Sequence, residues 1–292
     1  MQANPLLLIE QTPMLRTLGR IAVKTALPIG RKVTENPVEF EVVERKVAAP
    51  SRKLIQSYSE WAGAPAGKYD RVLPPHMFSQ FALPVCAPQL ESLRYNIGGI
   101  INQGCGMTVH GEIPVDEALN VRSEIVAVEE DNGRARVHIR LAVAGQDGKT
   151  AVDVDFYTAF IIGKGQKKPR AEKAPVAFES LGSWDAHKHA GLEFGILTGD
   201  LNPIHWVTPL AKLSPFKGKV LHGFGMFVRS FELIEQHNGQ PIKAIDVRFV
   251  SPVRLPSKGN EVWQSVDADS DGNRALELRD QQGKVQMAGH YR

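Results

Sequence analysis

The order of strands and tight turns is written twice in this chain, and that repetition constrains the fold more than any single motif. Residues 107–125 (MTVHGEIPVDEALNVRSEI) fall on residues 248–266 (RFVSPVRLPSKGNEVWQSV) after a slide of 141 positions. Val109 then meets Val250, Val115 meets Pro256 and Val121 meets Val262, while Asn120 meets Asn260 only after a one-residue shift. Identity is weak, but the order of features is shared. Each half runs from an apolar strand through a short connector to a second strand. A turn follows, Asp131-Asn132-Gly133 or Asp271-Gly272-Asn273, then a third strand. A second turn, Asp147-Gly148-Lys149 or Gln282-Gly283-Lys284, leads to a last strand. Asn, Asp and Gly supply the positive φ angles that tight hairpins demand.

The strands alternate as half-buried antiparallel strands do. Val137, Ile139, Leu141 and Val143 are separated by His138, Arg140 and Ala142, and Ile245, Val247 and Phe249 by Asp246 and Arg248. Each half also holds one apolar helix ahead of its strands. The clearer one starts near Gly223, where Phe224, Phe227, Phe231 and Ile234 form a stripe that Met226, Val228 and Leu233 widen until little is polar; such a helix is buried. Its counterpart spans His76 to Val85, with Pro84 expected to end or kink it. Met14 to Leu27 reads as a basic helix, Arg16, Arg20 and Lys24 recurring every four residues, packed on the main body. The expected organisation is an N-terminal segment 1–30, a first repeat 31–162, a polar linker 163–172 and a second repeat 173–292. The fold class is α+β: antiparallel sheet wrapped around two central helices.

Composition limits what such a chain does. Lys plus Arg is 35 against 32 for Asp plus Glu, a net charge of +3, too small an excess to indicate nucleic-acid binding. The two cysteines, Cys86 and Cys105, form neither a CxxC pair nor a zinc spacing, and read as free thiols of a reducing compartment. The run Leu6-Leu7-Leu8-Ile9 is too short for a signal-peptide core or a membrane span. A cytoplasmic protein is expected, with no nucleic-acid partner and no membrane span.

The most informative stretch is Phe194 to His205, with Gly199-Asp200-Leu201-Asn202-Pro203-Ile204-His205 at its end. On one continuous helix, residues five apart are rotated by about 140°. Asp200 and His205 therefore share a cleft only if the chain turns between them. Asn202-Pro203 provides that turn: Asn is a favoured N-cap, and Pro suits the first helical position because its missing N–H would be unpaired there anyway. A carboxylate and an imidazole aimed at one point can move a proton from water to carbon, help worth about 10²–10⁴-fold in rate. Spacing alone does not say which is acid and which base. An isolated D-x-N-P is more often just a capped turn; the full string is more specific.

Residues 194–211 resemble the hydratase signature of MaoC-like proteins, the group that includes R-specific enoyl-CoA hydratases. Val220-Leu221-His222-Gly223-Phe224 is similar to that family's His-Gly element at the start of the central helix, and Ala244 to Pro256 to its strand and Phe-x-x-Pro turn. The likeness is strong over most of 178–266; residues 50–160 match in layout only, as in two-repeat members whose first repeat has lost the signature. The resemblance implies a double hotdog fold and reversible hydration of trans-2-enoyl thioesters to (R)-3-hydroxyacyl thioesters. Coenzyme A is the expected carrier, Asp200 and His205 the catalytic pair, and no metal or organic cofactor is needed. Gly223, at a helix N-terminus, is the expected oxyanion donor, although it also suits close packing. Asn202, His222 and Phe224 are expected around the substrate. A serine lies deeper in this helix in some members; Ser230 is the nearest candidate.

Alternatives within and outside this class are a dehydratase of carrier-protein-bound 3-hydroxyacyl chains, a hotdog thioesterase, and a non-catalytic acyl-binding hotdog. A homodimer remains open. In the first repeat, Asp70 and His76 imitate a second site but lack Asn-Pro, so they read as a helix start. His187-Lys188-His189 suggests two ligands on one face of a strand, without a partner cluster; a solvated pair is the simpler reading. Lys164, Lys167, Lys168 and Arg170 read as a solvated linker rather than a phosphate site. Because the first repeat lacks the catalytic turn, the space left there is expected to take an acyl tail among Met77, Phe78 and Phe81. The competing expectation is that residues 1–30 fill it.

Overall fold

The computed structural model describes residues 3–27, 35–166 and 176–292. The first five strands are β1 (Val43–Val47), β2 (Ile101–Val109), β3 (Leu119–Asp131), β4 (Arg134–Ala144) and β5 (Thr150–Ile161). The next five are β6 (Phe178–Ala186), β7 (Ala244–Phe249), β8 (Ser257–Ser265), β9 (Arg274–Arg279) and β10 (Val285–Tyr291). They form one ten-stranded antiparallel sheet in the order β1-β3-β4-β5-β2-β7-β10-β9-β8-β6. Reading outward from the central β2–β7 pair, where Cys105 faces Val247, the two halves have the same order: β5 and β10, β4 and β9, β3 and β8, β1 and β6. The repeat seen in the sequence is thus a repeat in space, and the fold is a double hotdog.

The turns behave as their residues require. Asn132 and Gly133 take φ of 52° and 72° between β3 and β4, and Gly148, Gly272 and Gly283 take φ of 74°, 80° and 75° in the other turns. Val137, Ile139, Leu141 and Val143 all point into the core.

The helices are α1 (Thr12–Ala26), α2 (Arg52–Ala62), α3 (Ala82–Ser92), α4 (Ala190–Thr198), α5 (Thr208–Leu213) and α6 (Gly223–Asn238). The central helix of the second repeat, α6, begins where the sequence places it, with Phe227, Val228, Phe231 and Ile234 fully buried. The first repeat differs from expectation. Its central segment is a 3-10 turn, Pro75–Gln80, followed by α3, and the break lies at Phe81 rather than Pro84. Pro84 sits in the first turn of α3, where no N–H is needed, so the helix starts there instead of ending. Pro88 lies inside α3 and is tolerated.

The N-terminal helix packs as expected. Met14, Thr17 and Ile21 of α1 are buried, and Arg20 and Lys24 both pair with Glu91 of α3. A 3-10 turn before it, Pro5–Gln11, lies on α4 of the second repeat, where Gln11 Nε2 donates to the Leu197 carbonyl at 2.9 Å. Of the linker basics, Lys167, Lys168 and Arg170 lie outside the described residues. Among the described residues no helix is long and apolar enough to cross a membrane.

Candidate active site

The site is built where α4 ends and α6 begins. Gly199 closes α4 in the left-handed conformation, φ 80°, its N–H donating to the Gly195 carbonyl at 2.7 Å. The chain leaves the helix at Asp200. Asn202 Oδ1 then accepts from Ile204 N at 3.3 Å and caps a single 3-10 turn, Pro203–His205. The turn read from Asn-Pro is therefore present, and it brings Asp200 and His205 into one place. Two glycines on α4 let this loop lie directly on the helix. A Cβ on Gly191 would stand 2.3 Å from the His205 carbonyl oxygen, and one on Gly195 2.8 Å from that of Asp200.

His205 is buried, and its Nδ1–H donates to the Val220 carbonyl at 2.8 Å. That assignment leaves Nε2 as a bare lone pair. The Asp200 side chain is 40% exposed, and its Oδ1 accepts from Asn202 N at 3.2 Å. His222, the N-cap of α6, is buried between the two elements. Its Nε2–H donates to the Asp200 carbonyl at 2.9 Å, and its ring stacks on His205 with centroids 3.5 Å apart and planes 25° apart. Burial, and then the nearness of His222, push the His205 imidazole well below its ordinary range, and the attraction of Asp200 does not offset them. Burial likewise lowers His222, against the opposing pull of Asp200. Both rings are therefore neutral near pH 7.

Asp200, His205 and His222 bring ligand-type atoms within 4.8 Å of one another. The trio is nevertheless a poor metal cage. Ring nitrogens bind metals along lone pairs in the ring plane, and two nearly parallel stacked rings cannot aim those lone pairs at one point.

Gly223 is the first residue of α6, and no side chain caps that helix start. A Cβ there would stand 2.4 Å from the Phe249 ring, so close packing alone already requires glycine. Phe224 is half-buried, edge-on to Phe78, Phe156 and Phe249. Ser230 is fully buried on α6, its hydroxyl without a hydrogen-bond partner.

Phe78 and Phe81 line a cavity of about 220 Å³, together with Val109, Val143 and Val152 of the first repeat and Ile242 of the second. Met77 is fully buried in the core and does not line it. The cavity reaches Glu235 near the far end of α6, so the ring of Phe78 stands between it and Phe224. The two histidines at 187 and 189 are not on a strand: β6 stops at Ala186, and His187 Nε2 pairs with Glu193 at 3.0 Å.

Sequence reasoning missed a second polar cluster. His76, Glu232, Tyr58, Tyr69 and Lys68 meet inside the molecule, with Glu232 in the middle of the apolar α6 stripe. A carboxylate within such a stripe was the one available signal, since an acid is almost never fully buried without a partner.

Comparison with known proteins comes to the same region. Residues 166–282 match the family described as the MaoC like domain. No curated protein matches the chain in sequence. Among solved structures, HtdX of Mycobacterium tuberculosis is 21% identical with a TM-score of 0.65, over 86% of this chain and 99% of that one. A MaoC-like dehydratase from Phytophthora capsici is 15% identical with a TM-score of 0.68, over 89% and 96%. A conserved hypothetical protein of Mycobacterium tuberculosis with a double hotdog fold is 11% identical with a TM-score of 0.53, over 87% and 96%. At these identities the structures establish the fold.

Proposed function

Since residues 166–282 match the MaoC like domain, we propose that the protein reversibly hydrates trans-2-enoyl thioesters to (R)-3-hydroxyacyl thioesters, with coenzyme A as carrier. The observation that carries this reading is the bare Nε2 of neutral His205 beside the half-exposed Asp200 carboxylate. A general base must hold a free lone pair at the working pH, and an imidazole kept neutral by burial does so.

In the hydration direction, His205 Nε2 takes one proton of a water molecule as the water oxygen bonds to C3 of the substrate. Asp200 accepts the other O–H of that water and fixes its approach. The electron pair of the double bond moves onto the thioester oxygen, where charge is stabilised by the unpaired N–H groups and partial positive charge of the α6 N-terminus at Gly223. The imidazolium then returns its proton to C2, so that H and OH have been added across the double bond and both catalytic groups are restored. Dehydration runs the same steps backward. Phe224 borders the thioester, and His222 lies behind His205. The acyl tail extends toward the first repeat past Phe78.

The test is direct. Purified protein is mixed with trans-2-enoyl-CoA substrates of several lengths, and loss of the conjugated enoyl absorbance and product chirality are followed. Formation of the R product is expected. Release of free thiol without hydration would replace this reading with a thioesterase.

A further inference from the structure

His222 touches both members of the candidate pair. Its Nε2–H holds the main-chain carbonyl of Asp200, and its ring is the surface on which His205 lies. Asp200 is the first residue after the left-handed Gly199, so the position of its carbonyl decides where the loop to His205 goes. Asp200 Oδ2 lies 3.8 Å from the same Nε2. On α4, Phe194 packs against the His222 ring with centroids 5.1 Å apart.

The other ring nitrogen of His222 gives the argument its direction. Nδ1 is buried and has no hydrogen-bond partner. A buried, unpaired lone pair is unfavourable. A phenylalanine would fill the same space and stack on His205 without that penalty. What an imidazole adds here is therefore the Nε2–H, and its use is to hold Asp200.

We propose that His222 is a positioning residue for the Asp200–His205 pair: its ring is the shelf that fixes the attitude of His205, and its Nε2–H is the tether that fixes Asp200. The proposal rests on the hydration reading for its kinetic consequence, but its structural content can be tested without substrate.

The ¹⁵N shifts of the imidazoles in the wild-type protein at neutral pH read the tautomers. His205 carries its proton on Nδ1, and His222 carries its proton on Nε2. Two variants separate shelf from tether. His222→Phe keeps a flat ring and loses the tether; His222→Gln keeps an N–H donor and loses the shelf. Each lowers kcat by about 10- to 100-fold with KM little changed, the range a displacement of about 1 Å produces. In His222→Phe the titration midpoint of His205 also rises, because the neighbour that opposes its charge is gone; a residue that only filled space would leave that midpoint alone. A proton on Nδ1 of His222 overturns the proposal, as does wild-type kcat in either folded variant. If neither variant folds, the wild-type tautomers decide. If the wild type hydrates no enoyl thioester, the hydration reading fails, while the tautomers and the His205 titration still decide the positioning role.

Discussion

Both repeats bury a histidine in a 3-10 turn, His76 in Pro75–Gln80 and His205 in Pro203–His205, and the two differ in what they leave free. His76, in the Pro75–Gln80 turn, is wholly buried with both ring nitrogens engaged: Nε2 lies 2.8 Å from Glu232 Oε1 and Nδ1 3.2 Å from the Tyr58 hydroxyl. Glu232 also accepts from the Tyr69 hydroxyl and from Lys68 Nζ, both at 2.6 Å, and Lys68 reaches Glu235 at 2.6 Å. In the second repeat, His205 uses one nitrogen on a carbonyl and leaves the other bare beside a half-exposed carboxylate. The same residue type, buried in a 3-10 turn of each repeat, is in one case a satisfied strut and in the other a group with spare bonding capacity. Satisfied buried polar clusters fix structure, whereas spare capacity is what proton transfer needs.

The sharpest way to break this comparison is to remove Glu232. Glu232→Ala strands His76, Tyr69 and part of the charge of Lys68, and loss of about 3–5 kcal/mol is expected, as when one partner of a buried ion pair is deleted. Urea unfolding measures it. Turnover per folded molecule should stay near that of the wild type. A variant that unfolds like the wild type would deny the cluster its structural role.

The complementary changes act on turnover instead. Asp200→Asn and His205→Ala are each expected to lower kcat by about 10²-fold or more with the melting temperature little changed, since the first removes the carboxylate proposed to orient the water and the second the base proposed to take its proton. Near-normal turnover in either purified variant removes that residue from the mechanism.

Acid separates the two regions by pH window. His205 and His222 are held below the ordinary imidazole value of 6.5, so below that value the unfolded chain binds more protons than the folded one. Their contribution to stability is complete above about 6.5 and is lost as pH falls from there. For Glu232, burial alone would raise the carboxyl, but hydrogen bonding and attraction from His76, with hydrogen bonds from Lys68 and Tyr69, outweigh it and hold it at about 2, below the ordinary 4.5. Its contribution is present above about 4.5 and is lost as pH falls toward 2. Melting temperatures across these windows should fall in two stages, and His205→Ala should flatten the upper one. An unchanged upper slope in that variant would show that His205 titrates normally in the folded protein.

The smallest effect concerns the acyl tail. If the cavity behind Phe78 takes it, each buried methylene adds about 0.8 kcal/mol, and kcat/KM for a long enoyl-CoA exceeds that for the four-carbon one. Val152→Phe, which fills the cavity from its wall, should erase the difference while sparing the short substrate. A clear preference of the wild type for the short substrate would rule the tail pocket out.

Much of this was legible from residue order. The turns announced themselves through Asn132-Gly133, Gly148, Gly272 and Gly283, and the strands through period-two alternation. The candidate site was legible as a string, because the Asn-Pro turn between Asp200 and His205 is a local event. The break at Phe81 was not legible, since a proline in the first turn of a helix and a proline that ends one look alike until the helix start is known. Gly191 and Gly195 read only as helix residues; what makes them matter is the loop lying on them.

By itself, the sequence determined what depends on neighbours along the chain: where hairpins turn, which faces are apolar, and that an acid and an imidazole flank a capped turn. Those features rest on φ angles, periodicity and hydrogen bonds spanning a few residues. Only the tertiary structure decided which polar groups are satisfied. The partners of Glu232 lie 156, 163 and 164 residues away, and the Val220 carbonyl that sets the His205 tautomer lies 15 residues on. Whether a histidine is a strut or a base depends on which of its nitrogens is already used, and that is fixed by contacts made across the fold.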